Sequence, residues 1–311
     1  MRKLFCTFLL LLTWFEITAQ QSPYHIRNFN THEYGGFNQT WQAVQNDQGI
    51  LFLGSSSCVY TYDGVDWKQT LVKRGAATRQ IHHDSISKNI YVGSVADFGC
   101  LEQDSSGYYV YRSFLSQVSE EKKSFTDIWK IQQLENKIYF QSAERIFVVE
   151  GKKIVATIEP NEGGTFALLF NCGGKLYVRQ RGVGLMEISG TTLSKVKNSD
   201  AFGSIRLMGM LAFDENTNLL LTSDQGFMKM SGLITGEIVF ENFPAANDTF
   251  IVESGVLGCE WINENEFAVN SRNGLRIYTR DFKPKILFNK KLGLKDESIS
   301  EIFVDREKNI W

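Results

Sequence analysis

Residues able to carry chemistry are few in this chain, and they are scattered. The histidines are His25, His32, His82 and His83. His82-His83-Asp84 has the residue types of a metal site. Adjacent residues on a strand point to opposite faces, however, so the two imidazoles would not converge on one ion. The segment reads as a polar turn, and no metal site is expected. Glu120-Glu121 lies beside Lys122-Lys123 and reads as a solvated charged loop rather than a working acid and base. No nucleophile elbow, phosphate-binding glycine loop, H-E-x-x-H or dinucleotide turn occurs. The chain is therefore expected to be no enzyme and to need no cofactor. Beyond Cys6, the cysteines are Cys58, Cys100, Cys172 and Cys259, widely spaced and without a C-x-x-C. They are expected to be buried free thiols rather than disulfide staples.

The elements that position these residues come from a repeat. One unit reads as an apolar strand, a polar turn, a second strand, a Gly- or Ser-containing step, and a third strand. In the first copy these are Trp41 to Val44, Asn46 to Gly49, Ile50 to Gly54 and Val59 to Tyr62. A bulky residue marks the second strand of each copy: Phe52, Tyr91, Tyr139, Tyr177, Leu220, Phe267 and Trp311, recurring every 38 to 48 residues. An irregular period near 43 fits four-stranded propeller blades with variable outer loops and excludes helical solenoids of stricter length. Apolar runs such as Ile138-Tyr139-Phe140 lose strict alternation because both faces of a blade pack on neighbours. The fold is expected to be all-β, a β-propeller of about seven four-stranded blades. The seventh, opening at Ile299 and reaching Asn309-Ile310-Trp311, is truncated, so the domain over 20–311 is expected to be incomplete at its C-terminus.

Propeller geometry then nominates a binding face. The innermost strand of each blade starts on the face where the second strand ends, and side chains there ring the axis. Strand starts supply Trp41, Arg79, Trp129 and Arg206. Second-strand ends supply Asp97, Glu144, Arg181 and Arg272. Guanidinium forks suit carboxylate or sulfate, and an aromatic face can stack on a sugar ring. The competing reading packs the tryptophans between blades and pairs the arginines with acids.

The 311 residues carry a formal net charge of -2, so there is no electrostatic case for this segment gripping nucleic acid or anionic lipid. Arg2-Lys3, the apolar run Leu4 to Phe15 and the polar break Glu16 to Ala19 have the order of a signal peptide over 1–19, cut after Ala19. The apolar run is too short for a span of about 20 residues. The rest is expected outside the cytoplasm.

Asn28-Phe29, Glu33-Tyr34-Gly35-Gly36 and the stretch from Gln39 to Gly49 carry a family resemblance. So do Tyr60 to Trp67, Gly93-Ser94 with Asp97-Phe98-Gly99, Ser124 to Ile131 and Ile302 to Trp311. Together they resemble the periplasmic sensor region of Bacteroidetes-type regulators with two-component regulator propeller repeats and a triple-tyrosine domain. Ser55 to Cys58 departs from the usual Asn-Gly-Leu type step. The resemblance implies an extracytoplasmic ligand-sensing propeller of a membrane-anchored signalling protein, in the periplasm and held at the inner membrane. Its implied ligand is a glycan or glycan fragment. Implied partners are a small carbohydrate, the remaining blades and triple-tyrosine domain of the same chain, and a second copy in a homodimer. A kinase, cyclase or DNA-binding output domain would lie outside these residues. The alternatives are a secreted propeller enzyme acting on polysaccharides and a protein-binding propeller.

Overall fold

The computed structural model describes residues 24–36, 39–72, 75–243 and 248–311. The signal peptide expected over 1–19, with its cut after Ala19, lies outside the described residues. The fold is all-β: six antiparallel four-stranded sheets, each built from consecutive strands.

Blade one contains β1 (Thr40–Gln45), β2 (Leu51–Ser55), β3 (Cys58–Tyr62) and β4 (Trp67–Leu71). Blade two contains β5 (Thr78–His83), β6 (Ile90–Ser94), β7 (Asp97–Gln103) and β8 (Tyr109–Ser113). Blade three follows with β9 (Lys130–Leu134), β10 (Lys137–Gln141), β11 (Ile146–Glu150) and β12 (Lys153–Ile158). Blade four has β13 (Phe166–Cys172), β14 (Lys175–Gln180), β15 (Gly184–Ser189) and β16 (Thr192–Lys195). Blade five has β17 (Leu207–Asp214), β18 (Thr217–Thr222), β19 (Phe227–Ser231) and β20 (Val239–Asn242). Blade six closes the series with β21 (Val256–Asn263), β22 (Glu266–Ser271), β23 (Gly274–Thr279) and β24 (Pro284–Phe288).

The first strands of successive blades pack on one another around the axis. The second strands are the driest part of each blade, and the residues that mark the repeat explain why. Phe52, Tyr91, Tyr139, Tyr177, Leu220 and Phe267 are all buried, each wedged between its own blade and a neighbour. Between blades two and three Phe98 stacks on Phe147 at 4.5 Å, with Phe140, Phe114 and Phe125 edge-on or tilted around them. A sheet buried on both faces has no polar face to show, which is why alternation fades in these strands. Fourth strands face solvent, and β4 and β20 are mostly exposed. Cys58, Cys100, Cys172 and Cys259 are free thiols, the first three buried.

Six blades, not about seven, are formed. Where the seventh was expected, the residues after Ile299 make one short hairpin joined by the single bridge Val304↔Ile310, with Phe303 and Trp311 exchanging backbone hydrogen bonds. Asp305 holds this turn together, accepting from the Asn309 N–H at 2.7 Å and from the Trp311 indole N–H at 2.7 Å. One hairpin supplies a single pairing, not the three of a four-stranded sheet. It fills the gap between blades six and one: Ile302 joins the core of Ile262, Ala268 and Ile277, and Arg306 reaches the Asp47 carboxylate at 2.8 Å. The N-terminal segment crosses the same gap. Asn28 donates to the Gly293 carbonyl at 2.8 Å, and Phe29 stacks on Trp311 while meeting Tyr62 and Trp67 edge-on.

Candidate functional site

In blades two, four and six the loop between the second and third strands ties to the segment entering that blade and to the segment that follows it. In blade two the Val95 N–H donates to Ala77 and the Ala96 N–H to Thr126. In blade four the Arg181 N–H donates to Thr165 and the Gly182 N–H to Gly203. In blade six the Arg272 N–H donates to Gly255, while Ile299 donates back to Ser271. These bonds bring loops that carry several of the expected binding residues to the same end of neighbouring blades.

They do not form one ring of equivalent side chains. Trp41, Arg79 and Trp129 do converge. The Arg79 guanidinium lies 4.1 Å from the Trp41 ring and 5.2 Å from the Trp129 ring, so three consecutive blades meet at one cation. Its Nε donates to Asp127 at 2.6 Å. Asp127 comes from the segment before β9, which starts at Lys130, one residue after the expected Trp129; the Val95↔Asp127 bridge ties that earlier segment to the loop of blade two. Trp129 keeps 38% of its surface exposed, and Trp41 is half-buried with an unpartnered, buried indole N–H.

Asp97 is turned inward. It opens β7 and is buried, accepting from the Ser113 hydroxyl at 2.6 Å and from the Phe98 N–H at 2.8 Å, so it braces blade two and does not face the axis. Glu144 caps the segment entering blade three, accepting from the Thr126 N–H at 3.0 Å. Burial acts to raise its carboxyl, but this bond and those from Glu144's own N–H and Ser142 together hold it below the usual range. Arg181 and Arg206 are exposed at the junction of blades four and five, and Arg272 is exposed over blade six with its stem against Gly255. The eight residues thus separate into an aromatic–cationic sandwich over blades one to three, two structural carboxylates, and an arginine arc over blades four to six.

His82 and His83 end β5 instead of forming a turn, but they do diverge. His82 shares a hydrogen bond with Gln133 at 3.0 Å, and His83 lies 4.0 Å from Asp47. Burial lowers the pKa of both imidazoles. Among the described residues no cluster of three His, Cys, Asp or Glu side chains could hold a metal ion.

Sequence reasoning passed over a second polar feature, inside the channel. The inner strands and the C-terminal hairpin enclose a cavity of about 610 Å³, lined in part by Gln42, Gln80, Gln132, Lys130, Glu260 and Glu301. Lys130 donates to both oxygens of Glu301 at 3.1 and 2.9 Å. Glu260 is exposed within the channel, whose walls are formed by the inner strands and the C-terminal hairpin. That confinement, with the charge of Glu301 adding and Lys130 opposing, raises its pKa to about 7. The available signal was a charged residue inside an otherwise apolar first strand. A cleft of about 500 Å³ between Asp47, His83, Lys88, Glu102, Tyr109 and Lys152 has its charges paired: Lys88 with Asp47, and Lys152 with Glu102.

No protein-family model and no curated protein matches the chain. Solved structures do. The extracellular domain of a putative hybrid two-component system from B. thetaiotaomicron superposes with a TM-score of 0.64 at 15% identity, covering 88% of this chain and 36% of that one. This chain therefore spans little more than a third of that domain. The WD40 propeller domain of Doa1 gives 0.62 at 12% identity, covering 88% and 90% of the two chains. BamB from Moraxella catarrhalis gives 0.51 at 14%, covering 86% and 77%. The first of these is the kind of protein that the sequence resemblance anticipates. At such identities the likeness establishes the fold: the chain is a β-propeller of the architecture shared by those three proteins.

Proposed function

We propose that this chain is the ligand-sensing propeller of an exported signalling protein, and that a glycan or glycan fragment binds over the axial face of blades one to three. The observation that carries this reading is the Trp41–Arg79–Trp129 sandwich. Asp127 fixes the Arg79 fork through Nε, and two indoles flank it, so little rotamer freedom is left to lose on binding. The exposed part of the Trp129 ring offers a flat apolar surface for the C–H face of a sugar, and the guanidinium offers donors for its hydroxyls. Placement of the protein in the periplasm, with a membrane anchor and output domain elsewhere in a longer polypeptide, belongs to the same reading.

The test is calorimetric titration with a panel of neutral oligosaccharides, run beside thermal melts. Trp129→Ala should weaken binding at least tenfold while moving the melting temperature by no more than about 3 °C, because the ring is partly exposed. Unchanged affinity at unchanged stability removes the sandwich from the binding site and the proposal with it.

A further inference from the structure

At the junction of blades four and five three arginines, Arg179, Arg181 and Arg206, come together with no ion pair to any of them among the described residues. Arg179, near the end of β14, is buried and points under the loops. It donates from Nε to the Phe202 carbonyl at 2.7 Å, and from Nη2 to the carbonyls of Gly203 at 2.9 Å and Ser204 at 3.2 Å. It thereby ties the turn entering blade five onto blade four. The two loops then touch directly through the Gly182 N–H to Gly203 carbonyl bond of 2.9 Å. Glycine at 203 eases this approach, since a Cβ there would lie 3.0 Å from the Gly182 carbonyl carbon and 3.1 Å from the Val183 nitrogen, tight enough that the neighbouring loop would have to shift by a few tenths of an ångström. The loop that carries Arg181, beside Gly182, and the segment that carries Arg206, just before β17, are thereby drawn to one junction, with both charges in electrostatic reach of Arg179.

Among the described residues, neither Arg181 nor Arg206 has an ion pair or a side-chain hydrogen bond. The nearby acids are committed or apart. Asp200 is paired with Lys195 at 2.6 Å and Glu159 lies 3.7 Å from Arg145, while Asp224 bonds the Ser223 hydroxyl at 3.3 Å and lies outside ion-pair distance of any arginine. Burial first, and then the charges of Arg181 and Arg206, press the Arg179 pKa downward, as expected where a buried cation has like charges in reach. Such an arrangement raises the energy of the empty protein and lowers that of a complex with an anion.

We propose that Arg181 and Arg206 form an oxyanion-binding site, positioned by Arg179, that takes a carboxylate or sulfate group. Resting on the sensing role proposed above, this site would hold the acidic group of a charged sugar. It is chemically independent of the tryptophan sandwich, so the two can fail separately.

The experiment uses the whole chain, with sodium sulfate, sodium glucuronate and glucose as probes at matched ionic strength. Wild type, Arg181→Ala, Arg206→Ala, the double variant and Trp129→Ala are compared by thermal melts and calorimetry. Without ligand, the double variant should melt no lower than wild type, because repulsion is relieved. Sulfate or glucuronate should raise the wild-type melting temperature and glucose should not. Each single substitution should weaken anion binding about tenfold, the double should abolish it, and Trp129→Ala should leave it intact. A response to glucuronate alone assigns the site to a sugar acid, and a response to sulfate alone to a sulfated sugar. Equal stabilisation of wild type and double variant, or no response to either anion, overturns the proposal. Loss of neutral-oligosaccharide binding in Trp129→Ala is read separately and bears only on the sandwich.

Discussion

Replacing Glu260 by Gln should stabilise the protein at alkaline pH and leave it unchanged at acid pH. Glu260 shares the channel with the Lys130–Glu301 pair, and its pKa stands near 7 rather than the ordinary 4.5. Between those values the folded protein keeps a proton that the unfolded chain has released, so stability falls as pH rises through that window. Taken at face value, the displacement is worth ~3.4 kcal/mol at 1.36 kcal/mol per pH unit. Channel water reaches the side chain and screens it, so about 1 kcal/mol is the figure to expect. His82 and His83 complicate the raw profile, because burial holds them neutral and stability on their account rises with pH up to about 6.5. The difference between wild type and Glu260→Gln cancels that contribution. At pH 5 the glutamic acid is protonated and nearly isosteric with glutamine, so the difference should be close to zero. By pH 8 the variant should be more stable by about 1 kcal/mol, at most 2–4 °C in melting temperature for a chain of this size. Urea denaturation followed by circular dichroism at the two pH values measures this directly. Equal stability of the two proteins at pH 8, or a gain at pH 5 as large as that at pH 8, would refute the assignment of a raised pKa to this carboxyl.

Two further outcomes test the packing. A Cβ at Gly99 would lie 1.9 Å from the Arg112 carbonyl oxygen across the β7–β8 pair, so Gly99→Ala should prise the outer strand of blade two away and destabilise by more than about 2 kcal/mol in denaturant melts; a neutral result would mean that the strands sit farther apart. Closure of the ring between blades six and one should rest on apolar burial more than on charge: Ile302→Ala should cost about 2–5 kcal/mol, whereas Arg306→Ala, whose pair with Asp47 is half-exposed, should cost about 1 kcal/mol or less, and the reverse order would show that the ion pair is the clasp.

The site sorts itself by how each charge is compensated. Arg79 has Asp127 and two rings, Glu144 has the Thr126 N–H, and Asp97 has Ser113 and its own strand start. Arg181 and Arg206 have none of these, which is why the anion proposal rests on them and not on the whole set. The pairing expected under the competing reading is thus realised for Arg79, although that pairing leaves Trp129 half in solvent.

The sequence alone was enough to establish a propeller of four-stranded blades, though not the number of blades, because a blade needs one bulky apolar residue per second strand and that need recurs at a readable spacing. Phe52, Tyr91, Tyr139, Tyr177, Leu220 and Phe267 all lie where the repeat put them. The mutual approach of Trp41, Arg79 and Trp129 has the same origin, since the starts of neighbouring inner strands lie side by side whatever the loop lengths. What a single strand's pattern could not supply was side-chain partnership across blades. Asp97 looked like a face residue, but β7 begins with it, and its carboxylate is taken up by the Ser113 hydroxyl and the Phe98 N–H within the blade. The seventh position looked like a blade, yet only Val304 and Ile310 pair there. Lys130 and Glu301 are 171 residues apart and meet only because the ring brings the third blade and the C-terminal hairpin to one axis. Local periodicity encodes which face a residue takes. Which charge it meets is decided by closure of the ring, because that distance is set by every blade in between.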